Sequence, residues 1–231
     1  MLINKIALIF IVTFMSNLYA GETWKIASLN WEPYSGSTLI HQGSSIQKLR
    51  KLLQKEDITL VVEFFPWKRA KQLVKNNSEY MAIFPAWPED VFEGAIPSPT
   101  IDWSEIAILK LSQKKLSFNS IDELFEKYTV GIVSTYIYPK VFSDAIKKYP
   151  HNVENAPDEL SLLKKLSAER SSVAITDPKV MLYLAKLEGI NNLEVVSIVM
   201  KKELILALRN DEENRRRLKI LTNLLKKYEN R

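Results

Sequence analysis

The chain has 231 residues, of which 46% are hydrophobic, and this is enough to bury the core of one or two domains. It contains no cysteine, which excludes disulfides, cysteine-based metal sites and thiol catalysis, and only two histidines, which argues against a multi-histidine metal site. The formal net charge of +5 includes a basic cluster near the C-terminus. Leucines alternate with the basic residues, which fits an amphipathic helix with the basic residues on its solvated side. We therefore expect no nucleic-acid binding.

Residues 1–20 have the layout of a secretory signal peptide. One positive charge, Lys5, precedes an apolar run from Ile6 to Met15, and a more polar stretch then ends at Ala20. We expect cleavage after Ala20 and a periplasmic mature protein that does not span a membrane, since the run is shorter than the ~20 residues of a transmembrane helix. Leu18 stands where a small residue is preferred, which leaves an uncleaved N-terminal anchor as an open alternative.

Strands and helices alternate in the next part of the chain. Trp24 to Leu29 alternates in polarity like a strand, and Pro33 then ends it because a proline cannot donate to a sheet. A helix is predicted after Gly43, a second strand over Thr59 to Phe65, a helix from Pro66, and a third strand over Tyr80 to Phe84. This order predicts a mostly parallel α/β sheet.

A second α/β series follows a segment, Glu89 to Trp103, that is predicted to be irregular. We expect Ile106 to Leu111 to carry the chain from one lobe to another. The predicted elements are a helix from the Ser120–Glu123 capping box, strands over Thr129 to Val133, near Val153 and over Ser172 to Thr176, and helices from Pro139, Asp158 and Asp177. Two later apolar runs, Leu193 to Val199 and Leu204 to Leu208, could each bring the chain back.

Large aromatic side chains follow the first and third predicted strands. Trp31, Glu32 and Tyr34 come at the end of the first strand, and ligands bind at the carboxyl ends of strands in open α/β sheets. These side chains are therefore candidates for a binding site, with a cap on the core as the alternative. The prolines on both sides of Trp87 predict an exposed loop, where a large aromatic indicates contact with a ligand or partner.

Three segments, in this order, resemble the periplasmic solute-binding proteins of ABC transporters. They are Asn30 to Tyr34, the Phe65 to Ala70 segment, and Leu163 to Asp177. The resemblance is to the family-3 type, which includes binders of polar amino acids. It implies the type II α/β clamshell of two lobes, with mostly parallel sheets, two hinge crossings and a ligand in the cleft. Lobe 1 would hold residues 21–109 plus 201–231, and lobe 2 residues 110–200.

The resemblance also implies roles for individual residues. Tyr34 would stack on the ligand and Asp177 would face it from the second lobe. The segment from Ser134 to Tyr136 would offer hydroxyls and helix-terminal N–H groups to an anionic group. The predicted ligand-binding residues are Trp31, Glu32, Tyr34, Trp67, Arg69, Phe84, Trp87, Ser134, Thr135, Tyr136 and Asp177.

One departure from the family concerns a carboxylate-binding arginine. Amino-acid binders of this type carry an arginine shortly after the third strand, where it pairs with the ligand's carboxylate. Here the stretch from Phe84 to Asp90 has acidic residues and no arginine. Because a bidentate arginine is the strong way to hold a free amino acid, the usual specificity is in question unless Arg69 faces the cleft.

The resemblance implies a monomer that captures a small polar solute, an amino acid or related compound, for an ABC transporter permease, without cofactor or metal. A periplasmic sensor that reports its ligand to a membrane receptor fits the same residues. The same fold hosts some hydrolases and dehydratases. We expect no enzymatic activity, because the sequence shows no Ser/His/Asp set in motif context, no metal-ligand spacing and no glycine-rich phosphate loop.

Overall fold

The computed structural model describes residues 21–228, so the predicted signal peptide lies outside the described residues. The strands in this range are β1 (Thr23–Ser28), β2 (Thr59–Phe64), β3 (Ala82–Ala86), β4 (Ala95–Pro97), β5 (Asp102–Leu111), β6 (Val130–Val133), β7 (Val153–Ala156), β8 (Val173–Thr176) and β9 (Leu193–Arg209). The α-helices are α1 (Ser44–Leu53), α2 (Trp67–Asn76), α3 (Ile121–Lys127), α4 (Lys140–Lys148), α5 (Glu159–Ser167), α6 (Pro178–Leu187) and α7 (Glu212–Tyr228). None of the helices described is long and apolar enough to cross a membrane.

Two groups of parallel strands form the two halves of the molecule. In the first half β1 pairs in parallel with both β2 and β3, and in the second β6 pairs in parallel with both β7 and β8. The strand order is β2-β1-β3-β9-β5-β8-β6-β7, with β4 paired to β9. Helices connect the parallel strands, as a crossover connection requires. The predicted α/β class is confirmed.

A long antiparallel pair, β5 and β9, joins the two halves. The pairing runs from Asp102 opposite Leu204 to Leu111 opposite Leu193, with two register shifts. The two apolar runs predicted separately thus belong to one strand, because residues 201–203 stay paired with β5. The segment predicted to be irregular likewise contains β4 and the start of β5. The exact division into lobes stays a prediction.

Three predicted helix starts are confirmed by their caps. The Ser120 hydroxyl accepts a hydrogen bond from the Glu123 N–H at 3.1 Å, and the Asp158 carboxylate accepts one from the Ser161 N–H at 2.7 Å. Asp177 caps α6 in the same way. Such caps satisfy N–H groups that the first helical turn leaves without partners. The caps of α5 and α6 also determine where these helices begin at the edge of the sheet.

The loop after β1 is held against the start of α1. The N–H of Ser45 donates to the Tyr34 carbonyl at 3.0 Å, and the N–H of Ser44 donates to the Pro33 carbonyl at 3.0 Å. Gly43 precedes the helix with a φ of 103°. A Cβ on this glycine would lie 2.5 Å from the Tyr34 carbonyl oxygen. Glycine is therefore required both by the backbone conformation and by the approach of Tyr34.

Replacing Gly43 with alanine is expected to lower the free energy of unfolding by about 2–4 kcal/mol, since strain and a backbone clash add. Urea denaturation followed by circular dichroism measures the loss. Gly189→Ala is the matched control, because Gly189 also has a positive φ, 71°, but a Cβ there meets nothing within 4 Å. It should lose only about 1–2 kcal/mol. Equal losses in the two variants would show that the clash at Tyr34 is relieved without cost.

Candidate functional site

The parallel strands of both halves end at one cleft. The junction after β1 carries Trp31 and Tyr34, the junction after β3 carries Trp87, and those after β6, β7 and β8 carry Tyr136, Glu159 and Asp177. Trp31 contacts Glu159 and Tyr34 contacts Asp177, although the members of each pair are more than a hundred positions apart in the sequence. The arrangement matches the rule that ligands bind outside the carboxyl ends of strands in open α/β sheets.

Four aromatic rings cross the cleft in series. Trp31 and Tyr34 stack with ring centroids 4.6 Å apart. Trp31 also meets Trp87 at 6.2 Å in an edge-to-face arrangement, and Trp87 meets Tyr136 at 5.3 Å in the same manner. Offset-stacked and edge-to-face pairs are the geometries that the ring quadrupole favours. Three rings thus come from the first half and one from the second, so the cluster connects the halves.

A buried carboxylate, Glu159, lies beside these rings at the first position of α5. The indole N–H of Trp31 donates to its Oε1 at 2.6 Å, and the hydroxyl of Tyr136 donates to the same oxygen. Only 7% of the residue is exposed. Burial raises the pKa of Glu159 to about 7, against the opposing effect of these two hydrogen bonds and of one from its own backbone N–H. This carboxyl therefore changes charge near neutral pH.

A second buried carboxylate, Asp177, is saturated by protein donors. Its Oδ1 accepts from the N–H groups of Lys179 at 2.8 Å and Val180 at 3.1 Å. Its Oδ2 accepts from the Tyr34 hydroxyl and the Glu105 N–H, each at 3.0 Å. Burial raises the pKa of Asp177, and these hydrogen bonds oppose the effect. The pKa of Tyr34 is raised as well, chiefly by burial of its hydroxyl and next by the negative charge of Asp177.

The cleft contains two cavities, and Leu29, Trp67 and Tyr136 line both of them. The inner cavity measures about 20 Å³ and is lined by Leu29, Trp31, Trp67, Pro85, Trp87, Asp90 and Tyr136. The outer cleft measures about 480 Å³ and is lined by residues 29–30, 64–68, 133, 135–136 and 157–159. The inner volume is that of one or two water molecules, because the aromatic side chains fill most of this space.

Several predicted site residues lie at these cavities. Trp31, Trp67, Trp87, Thr135 and Tyr136 each line at least one of them. The prediction that Trp87 lies in an exposed loop is wrong, because only 4% of it is exposed. Its indole N–H donates to the Ser104 hydroxyl at 2.9 Å, and its ring packs between Trp31 and Tyr136. Pro85 lies within β3, and Pro88 begins a 3-10 turn, Pro88–Asp90, directly after Trp87.

Other predicted residues lie away from both cavities. Phe84 is fully buried in the core, and Glu32 lines neither cavity. Arg69 is exposed, with its guanidinium 5.4 Å from the centre of the Phe65 ring, and it too lines neither cavity. Ser134 donates to the Ala156 carbonyl at 3.1 Å. The ligand-contact roles of these residues stay predictions.

Sequence analysis missed Glu159. It follows Asp158, whose position in the sequence predicts only the start of a helix, and this junction comes after β7. A signal was present, because every strand-to-helix junction of a parallel sheet lies at the same edge. The junction after β7 therefore lies at the same edge as the junction after β1, and this places its acidic residue at the cleft.

The fold defines a class of protein. The chain has the two-lobe α/β fold of periplasmic binding proteins, as comparison with solved structures shows. A histidine kinase sensor domain, described as similar to periplasmic binding proteins, matches with a TM-score of 0.74 and 15% identity over 90% of this chain and 91% of that chain. An ancestral arginine-binding protein bound to arginine matches with a TM-score of 0.72 and 13% identity, over 90% and 92%.

A third similar structure is an ancestral amino acid-binding protein described as a precursor of cyclohexadienyl dehydratase. It matches with a TM-score of 0.67 and 16% identity, covering 90% of this chain and 89% of that chain. No protein-family model matches the sequence, and no curated protein matches it. At these identities the likeness establishes the fold, and the ligand has to be argued from the cleft.

Proposed function

We propose that this chain is a periplasmic solute-binding protein of the family-3 type, which captures a small polar solute, an amino acid or a related compound, between its two lobes. The observation that supports this most is the contact of both halves at one cleft. Trp31 from the first half hydrogen-bonds Glu159 from the second, and Tyr34 hydrogen-bonds Asp177. Polar and aromatic groups that converge from two lobes are what a binding cleft between domains needs.

The mechanism follows from the two strands that join the halves. Open and closed forms would exchange by bending β5 and β9, and a solute that touches both halves would stabilise the closed form. The hydrogen bonds of Trp31 and Tyr34 to the second half would then contribute to closure in addition to contacts with the solute. A bound solute should make the protein more compact and raise its melting temperature with concentration.

Delivery to an ABC transporter permease is the role we propose first. A sensor role, in which the closed form is recognised by a membrane receptor, is the second candidate, and the similarity to a histidine kinase sensor domain supports it. Both roles use a monomer in the periplasm, exported by residues 1–20. We propose that the protein binds its solute and does not convert it. Conversion of the solute by the purified protein would instead support the hydrolase or dehydratase alternative.

The solute can be identified by native mass spectrometry of protein purified from its own periplasm. With that solute, Tyr34→Ala is expected to weaken binding by about tenfold, the ~1.4 kcal/mol that an aromatic contact can contribute, while the fold is kept. Tyr34→Phe is the matched control, because it keeps the ring that stacks on Trp31 and loses only the hydroxyl that reaches Asp177. If calorimetry gives the Tyr34→Ala variant the affinity of the wild type, the prediction that Tyr34 stacks on the solute is refuted.

A further inference from the structure

We propose that the cleft takes a small organic cation, an amine or ammonium compound whose charged group is held by Glu159 and by the rings of Trp31 and Tyr136. This inference rests on the proposed function and names the chemical class of the solute. It departs from the amino acids that the family resemblance implies, because a cation of this kind needs no arginine to hold a carboxylate.

The first argument is the set of partners of Glu159. Both side-chain donors, Trp31 and Tyr136, are neutral, and both end on Oε1. Oε2 therefore has no side-chain donor among residues 21–228, and the third donor to the carboxylate is the Glu159 backbone N–H, which is also neutral. Within this range the carboxylate forms no ion pair with a lysine, arginine or histidine. Buried carboxylates are normally paired with a cation, because a charge taken out of water without one is costly. An organic cation from outside the chain would supply the pair.

The second argument is the aromatic wall. The faces of tryptophan and tyrosine rings attract cations, most strongly where water is excluded. Trp31 and Tyr136 each touch Glu159, and Trp87 packs edge-to-face against both. Trp31 and Tyr136 reach Glu159 with their polar edges, so a cation paired with the carboxylate would meet the ring faces only beyond those edges.

The third argument is the charge of the cleft lining. Among residues 21–228, Asp90 is the one charged residue at the inner cavity, and it is already bonded to the Lys71 ammonium at 3.1 Å and the Trp67 indole at 3.0 Å. Of the described residues at the outer cleft, Lys68 is the one cation, and it is exposed. No arginine lines either cavity in this part of the chain. The lining therefore lacks the bidentate group that an anionic solute would need.

The pH dependence of binding should report on Glu159. The groups that face it are the Tyr136 hydroxyl, Asp177, the neighbouring Asp158 and, across the outer cleft, Lys68. Because burial raises the pKa of Glu159 to about 7, a cation that binds the ionised form displaces a proton at lower pH. Affinity should then fall by about tenfold for each pH unit below 7 and be constant above it.

The experiment is isothermal titration calorimetry between pH 5.5 and pH 8, with putrescine, agmatine and choline as cations. L-Glutamine and L-glutamate, which carry no net positive charge, serve as comparison solutes. We expect at least one of the three cations to bind at pH 8, and Glu159→Gln to weaken it by about tenfold or more and to abolish its pH dependence. Glu126→Gln is the matched control, because it removes the same charge from an exposed position of α3. Glu159→Asp keeps the charge and should keep the pH dependence.

The outcomes separate this inference from the proposed function. If the comparison solutes bind and no cation binds up to about 10 mM, the cation assignment is overturned and solute capture stands. If no solute in the set binds, the cation assignment is overturned, and so is the capture of an amino acid under the proposed function. A cation that binds equally to the wild type and Glu159→Gln would also overturn the assignment, since the charge would then be held elsewhere.

Discussion

Replacing Trp87 with alanine is expected to lower the free energy of unfolding by about 3–5 kcal/mol, the usual cost of truncating a buried tryptophan. The indole is 4% exposed, and its ring lies between Trp31 and Tyr136 at 6.2 and 5.3 Å between centroids. Truncation would leave a cavity where the two halves meet and would remove the donor to the Ser104 hydroxyl. Urea denaturation followed by circular dichroism measures the loss.

Trp103 provides the matched control for this variant. It is 49% exposed on β5, so Trp103→Ala removes the same number of atoms from the surface. Its expected loss is within about 1 kcal/mol, the span of side-chain effects at an exposed strand position. Trp87→Phe should fall between the two variants, because it keeps a ring and loses the N–H. Similar losses for Trp87→Ala and Trp103→Ala would mean that the aromatic cluster contributes little to holding the halves together.

Replacing Glu159 with glutamine is expected to raise the free energy of unfolding at pH 8 by about 3 kcal/mol. Burial raises the pKa of this carboxyl from the ordinary 4.5 to about 7 in the folded protein. Below pH 4.5 the carboxyl is protonated in both the folded and the unfolded chain, so it costs nothing. Between the two values only the unfolded chain ionises, and stability falls as pH rises. Above about 7 the loss is complete and constant.

Glutamine keeps an Oε1 that can accept from Trp31 and Tyr136, and it carries no charge at any pH. The variant and the wild type should therefore be similarly stable near pH 4 and diverge towards pH 8. Urea denaturation at several pH values measures the difference, with Glu126→Gln as the exposed control. A stability difference that does not change with pH would show that the carboxyl of Glu159 is not protonated near neutral pH.

The two expectations for Glu159 are linked. A carboxylate that destabilises the protein above pH 7 and lies beside a cleft is the kind of group that a binding site retains at a cost in stability. If a cation binds there, the same group becomes favourable, because the ion pair replaces an unpaired buried charge. The stability gained by Glu159→Gln and the affinity lost should therefore both be largest above pH 7.

Local features of the sequence allowed much of the fold to be predicted. The alternating residues before Leu29 predict β1, and Pro66 before Trp67 predicts the start of α2. The caps at Ser120 and Asp158 predict where α3 and α5 begin. Periodicity, proline and capping act within a few residues, so a single chain displays them without knowledge of its neighbours. The position of the cleft at the strand ends also follows, once the strands of each α/β series are known to be parallel.

Which side chains form the site depends on contacts between residues that are far apart in the sequence. Trp87 could be placed at a strand end, but its burial depends on Trp31 and Tyr136, which approach it only when both halves fold. Glu159 appeared as an ordinary residue after a helix cap, and its raised pKa comes from burial between the halves. Sequence alone therefore determined the two α/β series and the edge at which a ligand site would lie. Only the tertiary structure decided which side chains meet there, because desolvation and pairing are properties of the assembled cleft.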